Sequence, residues 1–136
     1  LKILIMIEQV IVESISGALR DEGFKVAIEV ANLYRSADVA AIDTKGDIWI
    51  IECKVTSIGR AIEQLKTHKI SADKVFIGTY YRKTRDITLK KIKDAGMGLI
   101  YVMPDGSLYE FVKAPNNTNL WKPARERLLK RIQEAD

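Results

Sequence analysis

Asp38, Glu52 and Lys54 are ionisable residues placed where a core strand would be apolar. Residues 38–43 and 48–55 read as two arms of a hairpin, the second β-branched and aromatic until Glu52 and Lys54 interrupt it. If Thr44, Lys45 and Gly46 form a three-residue loop, with Gly46 in the left-handed conformation that closes it, Asp43 lies opposite Asp47. Asp38 then faces Glu52, and both share a sheet face with Lys54. Cross-strand Cβ atoms are about 5 Å apart, so the two carboxylates repel unless a divalent cation takes oxygens from both. A two-residue loop would shift the pairing by one and send the acids to opposite faces, so the expectation depends on Gly46. A structural Glu52–Lys54 ion pair is the plainer alternative; it costs desolvation and leaves Asp38 unexplained.

Asp38 followed by Glu52-Cys53-Lys54 on the second arm of a hairpin resembles the PD-(D/E)xK nuclease superfamily, with Ala37 where many members carry Pro. The resemblance implies that Asp38 and Glu52 bind Mg²⁺ or Mn²⁺, with the Cys53 backbone carbonyl as a further ligand, and that Lys54 positions and activates the attacking water. Many members add a Glu from the first helix. Glu8 shares a helical stripe with Val12, Ile15 and Leu19 and so points at the sheet, whereas Glu13 falls with Gln9, Ser16 and Arg20 on the solvent side. Gln64 and His68, at i and i+4 on one helix face, resemble the Gln-x-x-x-Tyr motif of the branch similar to bacterial recombination exonucleases. There the Gln orients the site and the ring lies near nucleic acid; with His for Tyr, a solvated surface histidine is the alternative. The hairpin followed by Lys54-Val55-Thr56 also resembles archaeal Holliday-junction resolvases.

The elements that must position these residues follow from periodicity. Residues 4–22 form a helix with Ile7, Ile11, Ile15, Ala18 and Leu19 on one stripe, closed by Gly23. Residues 24–31 form a strand, and 32–37 a short polar connection into the hairpin. Thr56 or Ser57 caps a helix to about residue 69, and residues 74–80 form a strand parallel to the one bearing Glu52. A helix over 86–95, strands over 99–103 and 107–112, an irregular Asn-rich segment over 113–122 and a helix from Pro123 to about residue 134 complete the chain. The predicted class is α/β: a mixed sheet flanked by helices. The resemblance implies the restriction-endonuclease-like αβββαβ core at about residues 4–80, with a strand pair and helix added over 81–136.

The chain has 136 residues, 47% of them hydrophobic, which suits one domain over 1–136. Its net charge of +4 is compatible with nucleic acid. One cysteine excludes a disulfide framework or zinc ribbon, and Cys53 reads as a buried small hydrophobe; one histidine argues against a His-rich metal site. The opening apolar run is too short and wrongly flanked for a membrane span, so a cytoplasmic protein with no membrane partner is expected. The loop Tyr81-Arg82-Lys83-Thr84-Arg85 lies beyond a strand end where α/β sheets bind ligands, and its cations and rings suit phosphates and bases. Trp49 reads as core. Trp121 with Leu128, Leu129 and Ile132 gives the last helix an apolar stripe that packs on the sheet or on a second copy, a homodimer being frequent among members that cut both strands. The functional expectation is a Mg²⁺- or Mn²⁺-dependent deoxyribonuclease of DNA repair or recombination. The alternatives are a non-catalytic nucleic-acid-binding module or subunit of such a complex, and a small α/β protein whose charges are structural.

Overall fold

The computed structural model describes residues 2–135. In chain order it contains α1 (Lys2–Asp21), β1 (Lys25–Asn32), β2 (Arg35–Ile42), β3 (Ile48–Cys53), α2 (Ile58–His68), β4 (Lys74–Tyr80), α3 (Asp86–Asp94), β5 (Gly98–Val102), β6 (Leu108–Val112) and α4 (Lys122–Gln133). The strands form one six-stranded sheet in sequence order; β3, β4 and β5 run parallel, and the other neighbours are antiparallel. This is an α/β fold with an αβββαβ core and a C-terminal strand pair and helix.

Alternation along β3 assigns its residues to two cores. Ile51 and Cys53 pack beneath the Ile11, Val12, Ile15 and Leu19 stripe of α1. Ile48 and Ile50 face the other side, with Leu65 of α2, Ile92 of α3 and Leu128 and Ile132 of α4. Glu52 is the next residue on that second face. On the first face, a Cβ at Gly78 would lie 2.5 Å from Ile15 Cδ1 and 3.0 Å from Ile51 Cγ2, so glycine is what lets α1 settle on the sheet. Gly78 pairs with Cys53, which places this close approach beside the Glu52–Lys54 stretch.

Four expectations need correction. Residues 32–37 are not a loose connection: Asn32 pairs with Arg35, leaving a two-residue turn of Leu33 and Tyr34. Leu33 adopts φ +60° there without glycine or asparagine to announce it. Ser57 occupies the position before α2 but is itself left-handed and makes no side-chain cap. Trp49 is half-buried, wedged between Phe24 and Phe76, with its Nε1 donating to Asp43 Oδ2 at 3.1 Å. Trp121 stands outside the apolar stripe of α4, exposed beneath Arg127, while Leu128 and Ile132 pack on the sheet side. Leu128 and Ile132 of that stripe are therefore covered within the chain.

At the end of the sheet remote from the site, Asp73 joins three elements. It accepts from the Ile48 N–H at 2.7 Å and from Arg125 of α4 at 2.8 Å, and Arg125 also donates to the Gly46 carbonyl. No helix among the described residues is long and apolar enough to cross a membrane.

Candidate functional site

The turn closes as Gly46 requires. Gly46 has φ +94°, its N–H reaches the Asp43 carbonyl, and the Asp43 N–H meets the Asp47 carbonyl at 2.9 Å. The ladder then pairs Ile42 with Ile48 and Val39 with Ile51, which carries Asp38 opposite Glu52. Lys54 follows at the C-terminal end of β3, its N–H held by the Gly78 carbonyl.

Backbone amides fix both acids. The Cys53 N–H donates to Asp38 Oδ2 at 2.8 Å, and the Asp38 N–H donates to Glu52 Oε1 at 3.3 Å. The two side chains also bond to each other, the protonated Glu52 carboxyl donating to Asp38. On the far side of Asp38, Glu29 of β1 has φ +52° and drops out of the ladder, although Ile28 with Val39 and Val30 with Ala37 keep one register. A non-glycine residue in the left-handed region is locally unfavourable, and this one sits next to the strand position that carries Asp38.

Asp38, Glu52, Lys54, Gln64 and His68 line one cleft of about 330 Å³, completed by Tyr34, Arg35 and Ser36 from the β1–β2 turn. Burial raises the Asp38 carboxyl above its ordinary value, against the pull of the Cys53 amide. Burial and then the Asp38 charge push Glu52 from 4.5 up to about 8. The pair therefore resists ionising together without added positive charge. His68 is fully buried, which corrects the alternative of a solvated ring and leaves no ring face for a base to stack on. Burial, and then the charge of Arg35, lowers its pKa from 6.5 to about 4. Two buried polar atoms of α2, Gln64 Oε1 and His68 Nε2, have no hydrogen-bond partner of ordinary geometry among the described residues, although the Ser36 carbonyl approaches the His68 ring as an acceptor. Such orphans cost free energy unless a ligand or solvent satisfies them.

Glu8 does turn toward the sheet, and Glu13 is exposed. The Glu8 carboxylate is engaged as an acceptor: the Val55 N–H donates to its Oε2 at 3.3 Å. Arg82 donates to the Val55 carbonyl. The residue after Lys54 is thus held from both sides, by α1 and by the loop after β4. That loop also frames a second, larger cleft of about 530 Å³ between the start of α2 and α3, bordered by Arg82, Lys83, Arg85 and Lys91 and by the hydroxyls of Thr56, Ser57, Thr84 and Thr88. Among the described residues no acidic one lines it. Tyr81 is exposed beside it, its ring edge-on to Tyr101 at 5.4 Å. Lys90 is instead paired with Asp94 on the outer face of α3.

Among the described residues no group of three or more His, Cys, Asp or Glu side chains gathers closely enough to hold a metal ion by itself. Two adjacent carboxyls that share a proton between them nevertheless suit Mg²⁺, whose charge would replace that proton and which commonly takes one or two protein carboxylates and completes its shell with water and phosphate oxygens. Sequence reasoning missed Tyr34, Arg35 and Ser36, because the turn that brings them to the cleft lacks turn chemistry. It also missed Asn32 and Ser71, which touch the site only through His68.

No protein-family model matches the chain, and no curated protein matches it. Among solved structures, a protein of unknown function from Silicibacter pomeroyi is similar over 90% of this chain and 81% of its own, at 21% identity and a TM-score of 0.68. At that identity the likeness concerns the fold alone.

Proposed function

We propose that the chain is a metal-dependent nuclease of the PD-(D/E)xK type, hydrolysing phosphodiester bonds in DNA. The observation that carries the reading is the convergence of Asp38, Glu52 and Lys54 in one cleft, the acids adjacent across β2 and β3 and both raised in pKa. Asp38 and Glu52 hold the Mg²⁺ or Mn²⁺, with the Cys53 carbonyl as a further ligand. When bound, the ion supplies Lewis-acid chemistry, lowering the pKa of water and offsetting charge on the phosphate.

The chain's own residues do the rest. Cys53 N–H and Asp38 N–H orient the two carboxylates, so the site is preorganised before any ion arrives. The Lys54 ammonium orients the attacking water and adds positive charge beside the scissile phosphate. Gln64 Oε1 accepts a hydrogen bond from that water or from substrate. Glu8 and Arg82 fix the strand end through Val55. The unpaired cations Lys83 and Arg85 neutralise backbone phosphates, and Tyr81 offers a ring to a base. The reading is tested by incubating DNA with the protein and Mn²⁺, with and without chelator; intact DNA throughout, from folded protein, would reject it.

A further inference from the structure

His68 carries the sole imidazole of the chain, and its two nitrogens are in unequal positions. Nε2 is buried, lies 3.9 Å from Glu52 Oε1 and makes no hydrogen bond of ordinary geometry among the described residues, although the Ser36 backbone carbonyl also approaches the ring as an acceptor. Nδ1 lies 2.9 Å from Asn32 Nδ2, and the same amide nitrogen is 2.7 Å from Ser71 Oγ. The Ser71 hydroxyl in turn reaches the His68 carbonyl at 3.2 Å. Since the Ser71 hydrogen is used on that carbonyl, its oxygen accepts one amide hydrogen of Asn32, and the other amide hydrogen points at Nδ1. Nδ1 then carries the lone pair and Nε2 carries the proton. Glu52 Oε1 lies 3.9 Å from Nε2, and once a cation holds Glu52 ionised that oxygen attracts an N–H and repels a lone pair.

We infer that His68 is a positioning residue for Glu52: Asn32 and Ser71 lock the ring as an Nε2–H donor, and that N–H steadies the carboxylate that holds the cation. The inference rests on the cation reading of Asp38 and Glu52 and extends it inward by two residues. It also makes Nε2 unavailable as a metal ligand, because a protonated nitrogen has no lone pair to give. The present separation is about 1 Å longer than a hydrogen bond. Closing it requires Glu52 to turn about its terminal torsion, a soft coordinate in carboxylates. Hydrogen bonds of this kind to a metal-binding carboxylate are worth about 10- to 100-fold in metal affinity.

The first test is a long-range ¹⁵N–¹H correlation spectrum of the full chain without metal, in which the single histidine needs no assignment. The Nε2-protonated tautomer is expected, and the Nδ1-protonated tautomer would overturn the inference. The second is Mn²⁺ affinity, measured by titration for the wild type, His68→Phe and His68→Gln. The phenyl ring keeps the volume and loses the donor, so affinity should fall about 10- to 100-fold, while the glutamine amide should restore part of it. Undiminished affinity in folded His68→Phe would overturn the positioning role. Should that variant not fold, Asn32→Asp serves instead: a carboxylate accepts from Nδ1–H and inverts the tautomer, and affinity must again fall. A wild type that binds no Mn²⁺ would overturn the cation reading and this role with it, whereas the tautomer spectrum would still report the Asn32–His68 lock by itself.

Discussion

The metal-free chain should lose stability as the pH rises from 6.5 to 8, and Glu52 should be the cause. In the folded chain Glu52 keeps its proton to about 8, whereas its ordinary value is 4.5. Between those values the folded state binds a proton that the unfolded state has released, so stability falls as the pH rises, by ~1.4 kcal/mol per pH unit. His68 acts in the opposite sense. Its pKa is lowered to about 4 from 6.5, so stability falls as the pH drops through that interval. Where the two intervals overlap, the slopes oppose and largely cancel. Above 6.5 the opposing His68 contribution is complete, the raised Asp38 acts in the same sense as Glu52, and the Glu52 titration alone should cost about 2 kcal/mol over the step to pH 8. Glu52→Gln keeps an oxygen to accept the Asp38 N–H and removes the titration. Urea unfolding in chelator at fixed ionic strength, compared at pH 6.5 and 8, is the assay. Wild type should weaken across that step while the variant holds level and is the more stable at the upper pH. A wild type whose stability is flat or rising, or a variant that keeps the wild-type slope, would refute the assignment of a buried, proton-retaining Glu52.

Three further outcomes follow from the same geometry. Asp73→Ala leaves Arg125 and the Ile48 N–H without their partner and should cost about 3 kcal/mol in urea unfolding, with Mn²⁺ affinity unchanged because Asp73 lies at the opposite end of β4 from the cleft. Replacing Lys83, Arg85 and Lys91 by Gln should reduce the slope of log affinity against log salt by about 2 to 3 in DNA-binding titrations. An unchanged slope would remove the second cleft from the nucleic-acid path. Saturating Mn²⁺ should raise the unfolding free energy of wild type by about 3 kcal/mol at 100 times its dissociation constant, and leave Asp38→Asn unmoved.

Local chemistry made much of this legible in advance. Gly46 set the register of β2 against β3, and that register alone put Asp38 beside Glu52. The stripe of α1 chose Glu8 over Glu13 as the inward acid, because helical period is a strong signal over a long segment. Its engagement with the Val55 amide was hidden, since no pattern in a sequence says which backbone N–H a carboxylate will meet. The β1–β2 turn was illegible for a different reason. Leu33 and Glu29 take left-handed conformations that their side chains do not favour, so tertiary packing and the cleft, and not local propensity, must hold them there. For His68 the sequence left two readings open, a ring near nucleic acid and a solvated ring, and pointed to neither Asn32 nor Ser71 as its partner. Its burial comes from Asn32 and Ser71, distant or unremarkable in the sequence, closing around it. The exposed Trp121 shows the reverse: an aromatic near an apolar stripe need not belong to it when a neighbouring arginine can cover its face.

The most direct measurement is cleavage of end-labelled duplex, branched and single-stranded DNA by wild type, Glu52→Gln and Lys54→Ala, each with Mn²⁺, with Mg²⁺ and with chelator. The account predicts cutting of at least one substrate by wild type only when the metal is present, with loss of at least 100-fold (about 3 kcal/mol of transition-state stabilisation) in either variant while both still fold and bind DNA. Equal activity in wild type and both variants, or no metal-dependent cutting by wild type on any of the substrates, would contradict it.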